Sequence, residues 1–331
     1  MMSAIPLRDR YRGCLLGLAC GDAVGTTVEF RPRGTFPPVM DMTGGGPFDL
    51  PPGAWTDDTS MALCLAHSLL YRRGFDPVDQ MNRYCNWADH GYMSSTGSCF
   101  DIGGTVSRAL ARYRETGDPW SGSTDPRSAG NGAIMRLAPV PMTYAESLER
   151  TLHFSGASAR TTHGAPEAVE CAHLFGAQLR AALLGAGKEE ILQASGFTPE
   201  LPSVAALARG DYRAKSEAAI RGSGYIVESL EAALWCFSTT SSYEEAVLHA
   251  ANLGDDADTT AAICGQLAGA FYGVDGVSAV WRERLVMREE IQGLADSLLE
   301  LCEELKQASA GSDLAVSGSG DQLPGLKPGR A

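Results

Sequence analysis

Asn252-Leu253-Gly254-Asp255-Asp256-Ala257-Asp258-Thr259-Thr260-Ala261-Ala262-Ile263-Cys264-Gly265 packs three carboxylates and two hydroxyls between a glycine and an apolar run. Charges so close repel one another in ordinary structure. At the start of a helix they gain from the positive end of the dipole. The simplest reading is an N-cap with extra acid in the first turn. A second reading is a divalent-cation site, because hard cations take carboxylate and hydroxyl oxygens. Trp55-Thr56-Asp57-Asp58-Thr59 repeats the same chemistry and also opens an apolar helical run, Met61 to Leu70. Two Asp/Thr helix starts, far apart in sequence, favour the cation site over two coincident caps. The expectation is a pair of ions about 3.5–4 Å apart.

Working outward, most of the chain reads as helix. Tyr11, Cys14, Leu15, Leu18 and Ala19 recur at helical spacing, and Gly13, Gly17 and Gly21 recur every four residues on one face. Small residues at that period predict close approach to a second helix. Further helices are expected over 56–71, 77–90, 101–113, 166–184, 222–237, 243–253, 258–272 and 286–307. Arg31 to Gly53 is rich in Pro and Gly and reads as a long loop that leads into Thr56 and forms a wall of the site. No alternating strand pattern stands out, so the expected fold is all-α, a single compact helical domain over 1–307. Residues 308–331 are Gly, Ser, Pro and polar residues with little to bury, and read as a disordered tail.

Composition narrows the function. With 44% hydrophobic residues the chain can bury a substantial core. A net charge of −13 and no basic run argue against a nucleic-acid surface. No apolar run approaches the roughly 18 residues of a membrane span, and the N-terminus has no signal-peptide pattern. Nine scattered cysteines without a Cys-x-x-Cys fit reduced, buried thiols in a cytoplasmic protein. No convergent His/Cys set suggests zinc.

The candidate site residues lie at helix starts and the loops before them. Glu29 sits among small residues after Gly21-Asp22-Ala23-Val24-Gly25. Asp101 precedes Ile102-Gly103-Gly104 and reads equally as an N-cap. Gly130-Asn131-Gly132 exposes backbone N–H groups that suit a phosphate or ribose. His163 stands in a small polar loop before a helix. Tyr225 follows Gly222-Ser223-Gly224 and serves either the core or a base-stacking platform.

In this order these motifs resemble the ADP-ribosylglycohydrolases, over nearly all of the chain before the tail. The motifs are Gly-Asp-Ala-Val-Gly-Thr-Thr-Val-Glu-Phe (21–30), Met-Thr-Gly-Gly-Gly (42–46), Thr-Asp-Asp-Thr (56–59) and Asp-Ile-Gly (101–103). Gly-Asn-Gly-Ala-Ile-Met-Arg (130–136), Thr-His (162–163), Tyr-Ile-Val (225–227) and Asp-Ala-Asp-Thr (256–259) complete them. Within the family the chain looks most like the bacterial dinitrogenase-reductase-activating type. The resemblance implies an enzyme with two divalent cations, Mg²⁺ or Mn²⁺. It implies metal ligands Thr56, Asp57, Asp58, Asp256, Asp258 and Thr259, with Glu29, Asp101 and Asp256 in catalysis. Gly103, Gly130, Asn131, Gly132, His163 and Tyr225 would bind the ADP-ribosyl group. The implied reaction is hydrolysis of the bond between ADP-ribose and an arginine of a modified protein, by a monomeric cytoplasmic enzyme. O-linked adducts, or immunity against an ADP-ribosylating toxin, are the alternatives. Asp255 stands where the family commonly has Gly, and is expected to be an extra acid beside the site.

Overall fold

The structure is a computed structural model that describes residues 5–193 and 196–317. Its helices are α1 (Leu7–Gly25), α2 (Asp57–Arg72), α3 (Pro77–His90), α4 (Gly104–Thr116), α5 (Pro139–Thr143), α6 (Leu148–Arg160) and α7 (Pro166–Leu183). They continue with α8 (Lys188–Gln193), α9 (Pro202–Arg209), α10 (Ile226–Thr239), α11 (Tyr243–Asn252), α12 (Ala257–Tyr272), α13 (Ala279–Arg284) and α14 (Arg288–Ser317). Among the described residues the only β pairings are isolated bridges. The protein is therefore all-α, with one continuous core.

The pair α1–α12 is its axis. Gly13, Gly17, Gly21 and Gly25 of α1 face Gly269, Gly265, Ala261 and Ala257 of α12, in antiparallel order. A Cβ on Gly17 would collide with the Gly265 carbonyl, and one on Gly21 with the Ala261 carbonyl. The helices thus meet backbone to backbone, as the four-residue period predicts. The consequence reaches the site: the last turn of α1, with Asp22, lies against the first turn of α12, with Asp258. α2, α7, α10, α11 and α14 surround the pair.

The 31–53 segment carries a 3₁₀ turn, Gly46–Phe48, and is tied down along its length. Val39 exchanges backbone hydrogen bonds with the Asn252 side chain, at 2.7 and 2.9 Å. Arg33 donates to the carbonyls of Leu253 and Ile220. All nine cysteines are free; Cys85 and Cys99 are half-buried and the others buried. α14 runs on to Ser317, so residues 308–317 of the expected tail are helical. Residues 318–331 lie outside the described residues.

Candidate active site

The two Asp/Thr helix starts do meet, and neither is capped by its own side chains. Thr56 is the N-cap residue of α2 and Asp256 that of α12, yet neither makes a side-chain cap hydrogen bond. The plain N-cap reading therefore fails at both.

The start of α2 is capped instead by Asp22, from α1. Its Oδ1 accepts from the N–H and hydroxyl of Thr56, both at 2.9 Å. Its Oδ2 accepts from the N–H and hydroxyl of Thr59, at 3.0 and 2.6 Å. Asp22 is wholly buried. Burial pushes its pKa up to about 6, against the opposing effect of these four bonds. Asp22 was not among the expected site residues. The signal for it was present: a lone carboxylate inside a buried helical run, next to a glycine of the α12-facing row.

Around Thr56 the charge does not balance. Its single hydroxyl lies 2.9 Å from Asp22 Oδ1, 3.1 Å from Asp58 Oδ2 and 3.1 Å from Asp258 Oδ2. One hydroxyl donates one proton, so it satisfies one of these carboxylates at a time. Thr259 adds only a long contact to Asp58, 3.4 Å. Asp58 Oδ1 and Asp258 Oδ1 are buried without any partner. Leaving buried carboxylate oxygens unpaired is costly unless a proton or a cation completes them. Among the described residues none of these acids forms a salt bridge. Burial, reinforced by neighbouring carboxylates, holds Asp57, Asp58 and Asp258 well above the usual carboxylate range. Asp22, Asp58 and Asp258 can each turn one oxygen to within 4.8 Å of the others, as can Glu29, Asp101 and Asp258. This donor set, all hard oxygen, fits a divalent cation.

Above the cluster opens a cavity of about 620 Å³. Glu29, Asp57, Asp101, Gly103, Gly130, Asn131, Gly132, His163, Asp256, Asp258 and Thr259 line it. Thr56 and Asp58 lie buried and do not line it. Glu29 is buried, and burial plus the charges of Asp101, Asp256 and Asp22 raise it to about 9. Asp101 rises to about 7 for the same reason, burial first. Asp101 is not an N-cap: Gly103 takes that position of α4, and Asp101 has a left-handed backbone, φ 56°. Asp256 is fixed by Asn131, whose Nδ2 donates to Asp256 Oδ2 at 2.8 Å.

His163, which lines the cavity, is held by a buried hydrogen-bond chain behind it. Arg136, fully buried, donates to Thr162 Oγ1 at 2.6 Å. The Thr162 hydroxyl lies 2.8 Å from His163 Nδ1. Having accepted from Arg136, it gives its own proton to Nδ1, which leaves the His163 proton on Nε2. Burial, then the Arg136 charge, lowers the His163 pKa to about 3, so the ring is neutral. Nε2 faces Gly130 and Gly132, and a Cβ on Gly132 would come within 2.8 Å of His163 Cε1. Glycine at 132 is what lets the ring reach the cavity.

Two of the singled-out residues lie outside the cavity lining. Tyr225 is neither core nor cavity lining. It is 37% exposed at the start of α10, and its hydroxyl donates to Glu167 Oε2 at 2.7 Å. Its neighbour Gly224 does line the cavity. Asp255 is not an extra acid of the cluster. Its side chain is exposed, and its left-handed backbone, φ 57°, pairs with Phe30 and Arg31.

The family model described as ADP-ribosylglycohydrolase matches residues 3–308. The ADP-ribosylarginine hydrolase of Pseudomonas putida is 46% identical over 91% of this chain and 81% of its own length. That of Serratia proteamaculans is 44% identical over 89% and 80%. The ADP-ribosyl-[dinitrogen reductase] glycohydrolase of Rhodospirillum rubrum is more distant, 31% identical over 91% of this chain and 99% of its own. The branch expected from the motifs is thus the less similar one. A solved "ADP-ribosylglycohydrolase-related protein complex" superposes with a TM-score of 0.81 at 45% identity, covering 89% of this chain and 99% of that one. With matching motifs, an all-α fold and a paired acidic helix-start site, the chain belongs to the ADP-ribosylglycohydrolase family.

Proposed function

We propose that this protein hydrolyses the bond between ADP-ribose and an arginine guanidinium on a modified protein. The observation that carries the reading is the buried carboxylate cluster under a donor-lined cavity, in a chain 46% identical to an ADP-ribosylarginine hydrolase. Thr56, Asp57, Asp58, Asp256, Asp258 and Thr259 would hold two divalent cations, Mg²⁺ or Mn²⁺, with Asp22 fixing the threonines. Bound there, such ions neutralise the cluster and lower the pKa of a water. The remaining work belongs to side chains. The His163 Nε2–H and the backbone of Gly130 to Gly132 hold the diphosphate and ribose, and Gly103 borders the ribose. A water adds to C1″ as the C1″–N bond breaks, giving its proton to Asp256. The departing nitrogen takes a proton from Glu29 or Asp101, whose raised pKa values suit proton donation near neutrality. The products are ADP-ribose and the free arginine.

Among the described residues no helix is long and apolar enough to cross a membrane. A monomeric enzyme acting on cytoplasmic protein substrates follows from the same reading. The test is incubation with arginine-, serine- and O-acyl-linked ADP-ribose, with and without Mg²⁺ or Mn²⁺. Metal-dependent release from the arginine adduct is expected. Release from an O-linked adduct alone would overturn the arginine assignment, and no release from any would overturn the hydrolase.

Two further expectations go with this reading. Tyr225 stacks on adenine at the cavity rim, so Tyr225→Ala weakens ADP-ribose binding by roughly 1–3 kcal/mol. Calorimetric titration reads this. Because the ring is outside the core, Tm should hold; a lower Tm with intact binding would make Tyr225 a packing residue. The chain beyond Gln307 is dispensable, and truncation there is expected to preserve Tm and turnover. A drop in either would assign the end of α14 to the fold.

A further inference from the structure

We infer that Phe30, Phe48 and Phe100 form the subsite that receives the guanidinium of the arginine acceptor. The inference rests on the hydrolase reading and goes beyond it by locating what distinguishes the acceptor. The three rings stand in a row. Phe30 meets Phe48 edge-on, centroids 6.5 Å apart, and Phe48 meets Phe100 at 5.2 Å. None of the three belongs to the hydrophobic core or packs against it. Phe30 is 64% exposed and Phe48 and Phe100 are half-buried. Single exposed apolar residues are unremarkable, but a row of three beside a cavity marks a binding surface.

Phe30 is also held there against its own preference. Its φ of 61° is left-handed, an outlier for a bulky residue. Its N–H donates to the Asp255 carbonyl at 2.7 Å, and the Asp255 N–H donates to the Arg31 carbonyl at 2.9 Å. Strained backbone of this kind persists where the surroundings enforce it, and it clusters at ligand sites. Folding alone gives no reason to strain a residue so that its ring faces water.

Charge chooses the occupant. Phe30 directly follows Glu29 and Phe100 directly precedes Asp101, so the row is bordered by two cavity carboxyls. A diphosphate finds only carboxyl groups beside the rings, whereas His163 and the Gly130–Gly132 backbone offer it donors in the same cavity. A planar cation suits it: guanidinium stacks on aromatic faces and pairs with carboxylates. Arginine fits better than a serine or acyl acceptor, which brings neither positive charge nor a flat surface.

Wild-type turnover of ADP-ribosylarginine, measured first, tests the hydrolase reading by itself. Phe30→Leu and Phe48→Leu then keep apolar bulk but remove the ring face. Each is expected to raise KM for ADP-ribosylarginine roughly two- to fivefold, with the Kd for ADP-ribose unchanged and Phe48→Tyr near wild type. An unaltered KM would overturn the inference. So would an ADP-ribose Kd that rises by the same factor, because the rings would then belong to the nucleotide wall.

Discussion

Asp258→Asn yields a folded protein that releases no measurable ADP-ribose. The expectation comes from the position of Asp258 between the two helix starts. It lies in the first turn of α12, wholly enclosed, with Oδ2 against the Thr56 hydroxyl and Oδ1 without a partner. It is also the residue shared by both groups of convergent acids. Losing its charge should weaken cation binding, since hard-ion affinity depends on ligand charge. Ion-assisted chemistry is worth several kcal/mol, so turnover should fall more than about a hundredfold. Stability in metal-free buffer should not fall. Burial, then the charges of Glu29, Asp58, Asp256 and Asp101, penalise an ionised Asp258, and an amide avoids that penalty. It can also donate to one of the unpaired oxygens. Calorimetry with Mg²⁺, a melting curve and an activity assay separate the effects. Full turnover with unchanged Mg²⁺ dependence would remove the cation site, and with it the proposed mechanism.

The axis of the fold was legible because its signal is local. A glycine every fourth residue on one face of 13–21 requires a close neighbour, and α12 supplies one. The two Asp/Thr helix starts were legible for a similar reason, since clustered charge before an apolar run demands an explanation. What escaped depends on tertiary geometry. Asp22 caps a helix whose N-cap residue, Thr56, lies 34 residues later, and no periodicity links the two. Asp101 looked like a cap because an acid before Gly-Gly usually is one, whereas here the chain turns left-handed and Gly103 takes the cap. Helix α6 escaped for a different reason. Its buried face is Thr151, Ser155, Gly156, Ala157, Ser158 and Ala159, so it carries little apolar periodicity. Ser147, which accepts from the Arg150 N–H, caps it. Small residues there let it pack on α7, as Gly176 against Ser155 shows. Tyr225 resisted assignment because an aromatic after Gly-Ser-Gly looks the same whether its ring turns inward or outward.

In metal-free buffer the protein should lose stability as pH rises, and Mg²⁺ should restore it. Glu29 is raised to about 9, Asp101 to about 7 and Asp22 to about 6, while Asp57, Asp58 and Asp258 are raised well above the usual range. The folded state therefore keeps protons that the unfolded chain gives up near pH 4. With more protons bound in the folded state, stability falls as pH rises. The loss begins near the unfolded carboxylate range and continues to about pH 9, where Glu29 ionises. Divalent cations compete for the same oxygens, so they bind weakly at pH 5 and tightly at pH 8. At about a hundred times its Kd, a ligand specific for the folded state adds about 2.7 kcal/mol. At about 2–4 °C per kcal/mol this raises Tm by roughly 5–10 °C at pH 8. At pH 5 the shift should be close to zero. Melting curves at both pH values, with EDTA or with Mg²⁺, read both halves of the prediction. An equal Mg²⁺ shift at the two pH values would place the ion somewhere other than these carboxylates. A metal-free Tm that climbs from pH 5 to pH 8 would mean that the cluster holds no protons in the folded state.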